Sequence, residues 1–167
     1  CFLLTFLFSE WINQVKNVNK LSLLRETIKT DDGMSKFIAN SIKKRGLKKI
    51  GVLGLSYKGD LKVSVLSKVI PLVKSLIKKK LQVRLYDPYF SKKEIYNAVK
   101  VKTFNFPRDL ASFDCLVITV DHKQFKISKR ILEKYIKNCK LIIDHDGAWK
   151  KYNFKHNYHL TGDREWI

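Results

Sequence analysis

From Lys48 onward the chain alternates short apolar runs with stretches of helical periodicity, and this alternation limits the possible folds more than any other feature. Lys48-Lys-Ile-Gly-Val-Leu-Gly54 reads as a strand ending in glycine. Val65, Leu66, Val69, Ile70, Val73, Leu76 and Ile77 then mark one face of a helix that closes at Lys78, Lys79 and Lys80. Gln82 to Tyr86 is the next strand, stopped by Asp87-Pro88. A strand-helix-strand unit of this length predicts two parallel strands joined by a crossover helix.

The theme repeats to the end of the chain. Val99 to Phe104 reads as a strand, Pro107 to Phe113 as a short helix, and Asp114 to Val120 as the most apolar strand. Lys126 to Lys137 reads as a helix, Lys140 to Asp144 as a strand, and Asn157 to Leu160 as a last strand. The expected class is α/β: a Rossmann-like open, mostly parallel sheet with helices on both faces, preceded by a short helical segment. That segment ends in an amphipathic helix over Ser22 to Arg45, with Lys43, Lys44 and Arg45 in its last turn and Gly46 as the stop. Asp31, Asp32 and Gly33 leave open a bend or break in its middle. Two regions are therefore expected, a helical one over residues 1–46 and the sheet domain over 47–167.

At 167 residues and 45% apolar content, the chain has material for one core and a small appendage. It opens at Cys1, as a partial copy of a longer gene product would. The apolar run from Cys1 to Phe8 falls short of the roughly 20 residues of a membrane span and lacks the basic start of a signal peptide. A buried helix is the expectation for it, and no membrane partner. A net charge of +19 raises nucleic acid as a partner, but 28 lysines against 6 arginines, spread along the whole chain, argue against a phosphate- or base-reading groove. Cys1, Cys115 and Cys139 form no CxxC pair, which fits a reducing cytoplasm and neither a disulfide framework nor a zinc site.

Ligand groups in such a sheet belong at the carboxyl ends of the strands. The segments there are Leu55 to Asp60, Asp87 to Phe90, Asp121 to His122 and His145 to Trp149. Gly51-Val-Leu-Gly54-Leu-Ser-Tyr-Lys58 runs from strand towards helix and offers backbone N–H groups beside an ammonium, a corner suited to a phosphate. It carries two of the three glycines of GxGxxG, and Asp87 stands where an acidic residue would bind a ribose. Asp121, His122, Asp144, His145 and Asp146 could suggest a metal or an acid/base group, but polar residues at strand ends also form turns and caps, and no ligand spacing is present. No metal site is expected.

Taken together, Gly54-Leu-Ser-Tyr-Lys58, Gly59-Asp60, Ser67, Tyr86-Asp-Pro-Tyr89, Val117-Ile-Thr-Val-Asp-His122 with Phe125, and Asp144 resemble, in order and spacing, the carboxyl-terminal part of the nucleotide-sugar 6-dehydrogenases. This is the UDP-glucose, UDP-N-acetylmannosamine and GDP-mannose dehydrogenase family. The resemblance implies a UDP-sugar-binding domain of about 120 residues, and for the Ser22 to Arg45 helix the segment that follows the family's central dimerisation helix.

Family members oxidise the sugar C6 hydroxyl to a carboxylate in two NAD-dependent steps, through a thiohemiacetal and a thioester on a cysteine of a Cys-Phe-Pro-Lys-Asp motif. Cys1-Phe2-Leu3-Leu4-Thr5 resembles a remnant of that motif, with Cys1 at the nucleophile's place but Leu4 and Thr5 where lysine and aspartate belong. The resemblance places Tyr57 and Lys58 at the sugar-nucleotide site. It also shows departures: Val63 and Val65 replace the acidic and arginine positions of the family's DxR element, Lys68 its proline, and Asp146 a later arginine. The implied cofactor is NAD in the family, with none expected on this chain alone because the NAD-binding domain is not among its residues. The implied partners are a UDP-sugar and either a second copy or a separately encoded NAD-binding half, for which the apolar face of Phe2, Leu3, Phe6, Leu7 and Trp11 would be the docking surface. The implied setting is polysaccharide biosynthesis in the cytoplasm.

Overall fold

A computed structural model describes residues 22–154 and 157–161. The described residues form five strands in one fully parallel sheet: β1 (Lys49–Leu53), β2 (Gln82–Tyr86), β3 (Cys115–Ile118), β4 (Leu141–Asp144) and β5 (Tyr158–Leu160). Their order across the sheet is β2-β1-β3-β4-β5. Helix α1 (Ser22–Lys44) precedes β1, α2 (Val69–Lys78) joins β1 to β2, α3 (Lys92–Val99) follows β2, and α4 (Lys129–Ile136) joins β3 to β4. Single 3-10 turns at Arg108–Ser112, Lys123–Phe125 and Lys150–Tyr152 complete the connections.

Alternation along the strands divides the core in two. Ile50 and Val52 of β1, Leu85 of β2, Cys115 and Val117 of β3, and Leu141 and Ile143 of β4 face the side covered by α1, α2 and α3. Leu53, Leu116, Ile118 and Ile142 face the other side, against Leu132 and Ile136 of α4 and the rings of Phe113, Phe125 and Trp149. Strands buried on both faces explain why β3 and β4 are apolar without a break.

Helix α1 runs through Asp31, Asp32 and Gly33 without interruption, so the open question of a bend is settled as a continuous helix. Ile38, Ala39 and Ile42 pack in the same core as β1. The helix stops at Gly46, whose φ of +71° suits a residue with no Cβ, and its N–H donates to the carbonyl of Lys43 at 3.0 Å.

Two expectations need correction. The helix after β1 begins at Val69 rather than near Val65. Pro71 explains this: a helix started at Val65 would carry the proline in its interior, where its ring clashes, whereas a start at Val69 places it in the first turn. The second concerns Val99 to Phe104, which is no strand. Helix α3 occupies residues up to Val99, and beyond it a single bridge pairs Lys102 with Arg84. Ser91 and Glu94 form a capping box at the start of α3, with Glu94 N donating to Ser91 Oγ and Ser91 N donating to Glu94 Oε2.

Candidate functional site

In a sheet of order 2-1-3-4-5 the connections from β1 and β3 leave in opposite directions, and their carboxyl ends flank a crevice. A cavity of ≈ 120 Å³ opens there. Ile38 of α1, Leu72 of α2 and Val117 of β3 give it an apolar wall, and Ser56, Tyr57, Ser67, Lys68, Thr119, His145 and Asp146 bring polar groups to it. Ser35 and Met34 of α1 also line it. An amphipathic stripe in sequence does not show which end of a sheet its helix will reach, so the contribution of α1 could not be read beforehand.

The loop from Gly54 to Asp60 rises from β1 with neither helix nor strand to shape it. Gly54 has a φ of +107°, and a Cβ there would lie 2.6 Å from Val120 Cγ2 and 2.7 Å from Thr119 Oγ1. Gly59 packs against the Asp121 carbonyl, where a Cβ would sit 2.3 Å from the oxygen. The loop thus rests on the segment that follows β3, at Gly54 on the side chains of Thr119 and Val120 and at Gly59 on the backbone of Asp121.

The backbone N–H groups of Gly54, Leu55, Ser56, Tyr57 and Asp60 in this loop are already used. Leu55 N and Ser56 N donate to Asp87 Oδ2 at 2.7 and 3.0 Å, and Ser56 Oγ donates to the same oxygen at 3.0 Å. Tyr57 N donates to the carbonyl of Val63 at 2.6 Å. Asp87 Oδ1 accepts from Tyr89 N at 2.8 Å. Burial pushes the Asp87 carboxyl up, but hydrogen bonds from His122, Leu55, Tyr89 and Ser56 outweigh it and hold the group below its ordinary value of 3.8. Asp87 is therefore an internal anion with 2% exposure, and the expectation that it imitates a ribose-binding acid is corrected. In the corner at Gly51 to Lys58, expected to suit a phosphate, the carboxylate takes the amides of Leu55 and Ser56, so these two are not free for such a ligand. Residues so engaged do not fit the pyrophosphate of a dinucleotide at the end of β1.

His122 is fully buried and completes the network. Its Nδ1 accepts from Asp60 N at 2.8 Å, which puts the ring hydrogen on Nε2, 3.2 Å from Asp87 Oδ2. Asp60 Oδ1 accepts from Lys123 N at 2.9 Å and from the Tyr89 hydroxyl at 3.3 Å. The Lys123 amide is the main reason that the Asp60 carboxyl lies below its ordinary value. The motif residues of the first and second rim segments and of the Asp121-His122 pair are thus in mutual contact.

Among the residues singled out beforehand, Tyr57 lines the cavity and is half-buried, while Lys58 is exposed beside it and is not part of its wall. Cys1 and the apolar face of Phe2 to Trp11 lie outside the described residues. Asp146 lines the cavity, and its carboxyl is pushed up by desolvation, with His145 opposing and Asp144 and Asp121 adding to the rise. Asp144 is fully buried and binds the following turn, its Oδ1 accepting from Gly147 N and Ala148 N and its Oδ2 from Trp149 N. Among the described residues, no three His, Cys, Asp or Glu side chains gather as a metal site would require. No described helix is long and apolar enough to cross a membrane.

Comparison with known proteins agrees with this geometry. Residues 51–151 match the model of the UDP-glucose/GDP-mannose dehydrogenase family, UDP binding domain. The UDP-N-acetyl-D-mannosamine dehydrogenase of Methanococcus vannielii is 27% identical over 91% of this chain, and that of Methanocaldococcus jannaschii 24% identical over 89%. The chain spans little more than a third of the length of these relatives, 37% and 36%. Among solved structures, a UDP-N-acetyl-mannosamine dehydrogenase from S. aureus superposes with a TM-score of 0.72 at 21% identity, covering 91% of this chain and 36% of that one. A UDP-D-ManNAc dehydrogenase from Pyrococcus horikoshii gives 0.67 at 22% identity, covering 87% and 34%, and at this identity both likenesses concern the fold. With a family model matching well over half of its residues, this chain belongs to the UDP-glucose/GDP-mannose dehydrogenase family and carries the part described as its UDP binding domain.

Proposed function

We propose that this chain is the UDP-sugar-binding portion of a nucleotide-sugar 6-dehydrogenase, taking UDP-glucose or a UDP-N-acetylhexosamine whose C6 hydroxyl the complete enzyme oxidises to a carboxylate. The observation that carries this reading is the cavity at the carboxyl ends of β1 and β3, most of whose lining residues belong to the stretch matched by the family's UDP binding domain. Tyr57 lines the cavity and borders the nucleotide. Lys58, exposed next to it, supplies charge to the diphosphate where the amides of Leu55 and Ser56, bound to Asp87, cannot.

NAD, when bound to the complete enzyme, accepts the hydride. The end of β1 does not fit that cofactor, so these residues bind substrate and do not oxidise it without an NAD-binding half. Cys1 stands as a remnant of the family's nucleophile. The role suits a cytoplasmic step of polysaccharide biosynthesis.

Calorimetry with UDP-N-acetylmannosamine, UDP-glucose and GDP-mannose tests the reading. Binding of a UDP-sugar is expected, weakened about tenfold, or ~1.4 kcal/mol, in Lys58→Ala. No heat at millimolar ligand, or unchanged binding in the variant, rejects it.

A second reading draws on the loop before α2. Leu61, Val63 and Val65 are 48%, 42% and 72% exposed, an apolar edge beside the cavity that suits docking of an NAD-binding half. Co-purification with such a half, lost in a Val63→Asp, Val65→Asp variant, would support it.

A further inference from the structure

Segments separated by more than thirty residues meet at one imidazole. His122 Nδ1 receives the amide of Asp60, His122 Nε2 donates to Asp87 Oδ2, and the same carboxylate oxygen receives the amides of Leu55 and Ser56. The ring is held between Tyr89, with centroids 5.0 Å apart, and Phe125, at 5.1 Å in an edge arrangement. It cannot turn without losing both hydrogen bonds. The amides of Leu55, Ser56 and Asp60 therefore end on two side chains, and between them stand Tyr57 and Lys58.

We propose that Asp87 and His122 are positioning residues that hold the 54–60 loop in the one shape that presents Tyr57 and Lys58 to the sugar nucleotide. This rests on the reading of Tyr57 and Lys58 as ligand contacts. Asp87 and His122 themselves stay away from the ligand, since they are 2% and 0% exposed and their polar atoms are turned into the loop. A loop without helix or strand keeps its shape only through such bonds. Remove them, and it samples others.

The roles of the two ring nitrogens can be separated by substitution. Asn places its amide oxygen near the position of Nδ1 and can still receive the Asp60 amide, Gln places its amide nitrogen near Nε2 and can still donate to Asp87, and Phe keeps the ring alone. Amide hydrogen exchange and calorimetry with a UDP-sugar are read together on the full chain.

In His122→Phe, the amides of Leu55, Ser56 and Asp60 are expected to exchange at least ~10-fold faster while those of β3 and β4 keep their rates. UDP-sugar affinity should fall about tenfold. His122→Asn should slow the Asp60 amide again and recover part of the affinity. Should His122→Phe fail to fold, the contrast between Asn and Gln carries the same comparison.

Equal acceleration in β3, β4 and the loop would mean a general stability role and overturn the proposal. So would a loosened loop with undiminished affinity. A wild-type chain that binds no nucleotide overturns the ligand reading and the presenting role with it, whereas exchange alone still decides whether the pair holds the loop.

Discussion

The hydroxyl of Tyr158 on the edge strand β5 donates to Asp144 Oδ2 on β4 at 2.7 Å, adding a side-chain bond to the three-residue ladder that joins them. Asp144 also receives three amides of the turn at Gly147 to Trp149. Asp144→Ala would leave these buried donors without an acceptor and should cost on the order of 3–5 kcal/mol, whereas Tyr158→Phe should cost about 1 kcal/mol. Urea midpoints at unchanged slope measure both. Similar small losses in the two variants would show that the turn does not depend on the carboxylate.

Two glycines should respond to alanine with opposite signs. At Gly59 the new methyl would meet the Asp121 carbonyl oxygen at 2.3 Å, and backbone offers no easy retreat, so a loss of about 2 kcal/mol is expected. At Gly33, inside α1, nothing lies within 4 Å, and the gain should be roughly 0.5–1 kcal/mol. Thermal unfolding of the two variants distinguishes them, and a destabilised Gly33→Ala would contradict a regular helix at that point.

Acid should weaken the fold through carboxylates that are more acidic when folded than when unfolded. Asp87, Asp60 and Asp114 lie below 3.8, and Glu94, bonded first to Lys62 and then to the Ser91 amide, is lowered from 4.5 to about 2. The unfolded chain binds protons first, so the stability they contribute is complete above about pH 4.5 and is lost as pH falls towards about 2. A urea midpoint that stays level across this window would refute the assignment. Glu94→Gln should flatten part of the decline.

Neither described thiol should be reactive in the native protein. Burial pushes Cys115 well above its ordinary 9.0 and Cys139 up to about 11. Modification of both by a disulfide reagent at pH 8 should be about a hundredfold slower than in urea. Fast labelling of Cys139 in the native state would require an opening of the core around β4.

The parallel sheet was legible because both of its causes are local: apolar runs of strand length, and helical stripes between them. So was the stop at Gly46. Helix α3 was missed although its signal, Ser91 three residues before Glu94, is among the plainest that a sequence carries. The apolar residues Val99, Val101 and Phe104 drew attention to a strand instead, and in the fold they are buried beside the edge of the sheet with a single bridge.

The site was legible in part. Its segments could be placed on one rim, but the partnership of Asp87 with His122 spans 35 residues and depends on strand order, which no local pattern states. An aspartate at a strand end looks the same in sequence whether it faces a ribose or the protein's own amides. Its burial decides, and burial belongs to the tertiary structure.

Because Asp87 already occupies the amides of Leu55 and Ser56, a sugar nucleotide bound as proposed would meet side chains at this point of the rim in place of those two amides. Main-chain cradles keep their preference through most substitutions, since every residue supplies the same N–H. A wall of side chains has no such inertia. Under the proposed function, changes at Tyr57, Ser67, Lys68 or Asp146, which line the cavity, would alter which sugar nucleotide is preferred, with the scaffold beneath left as it is.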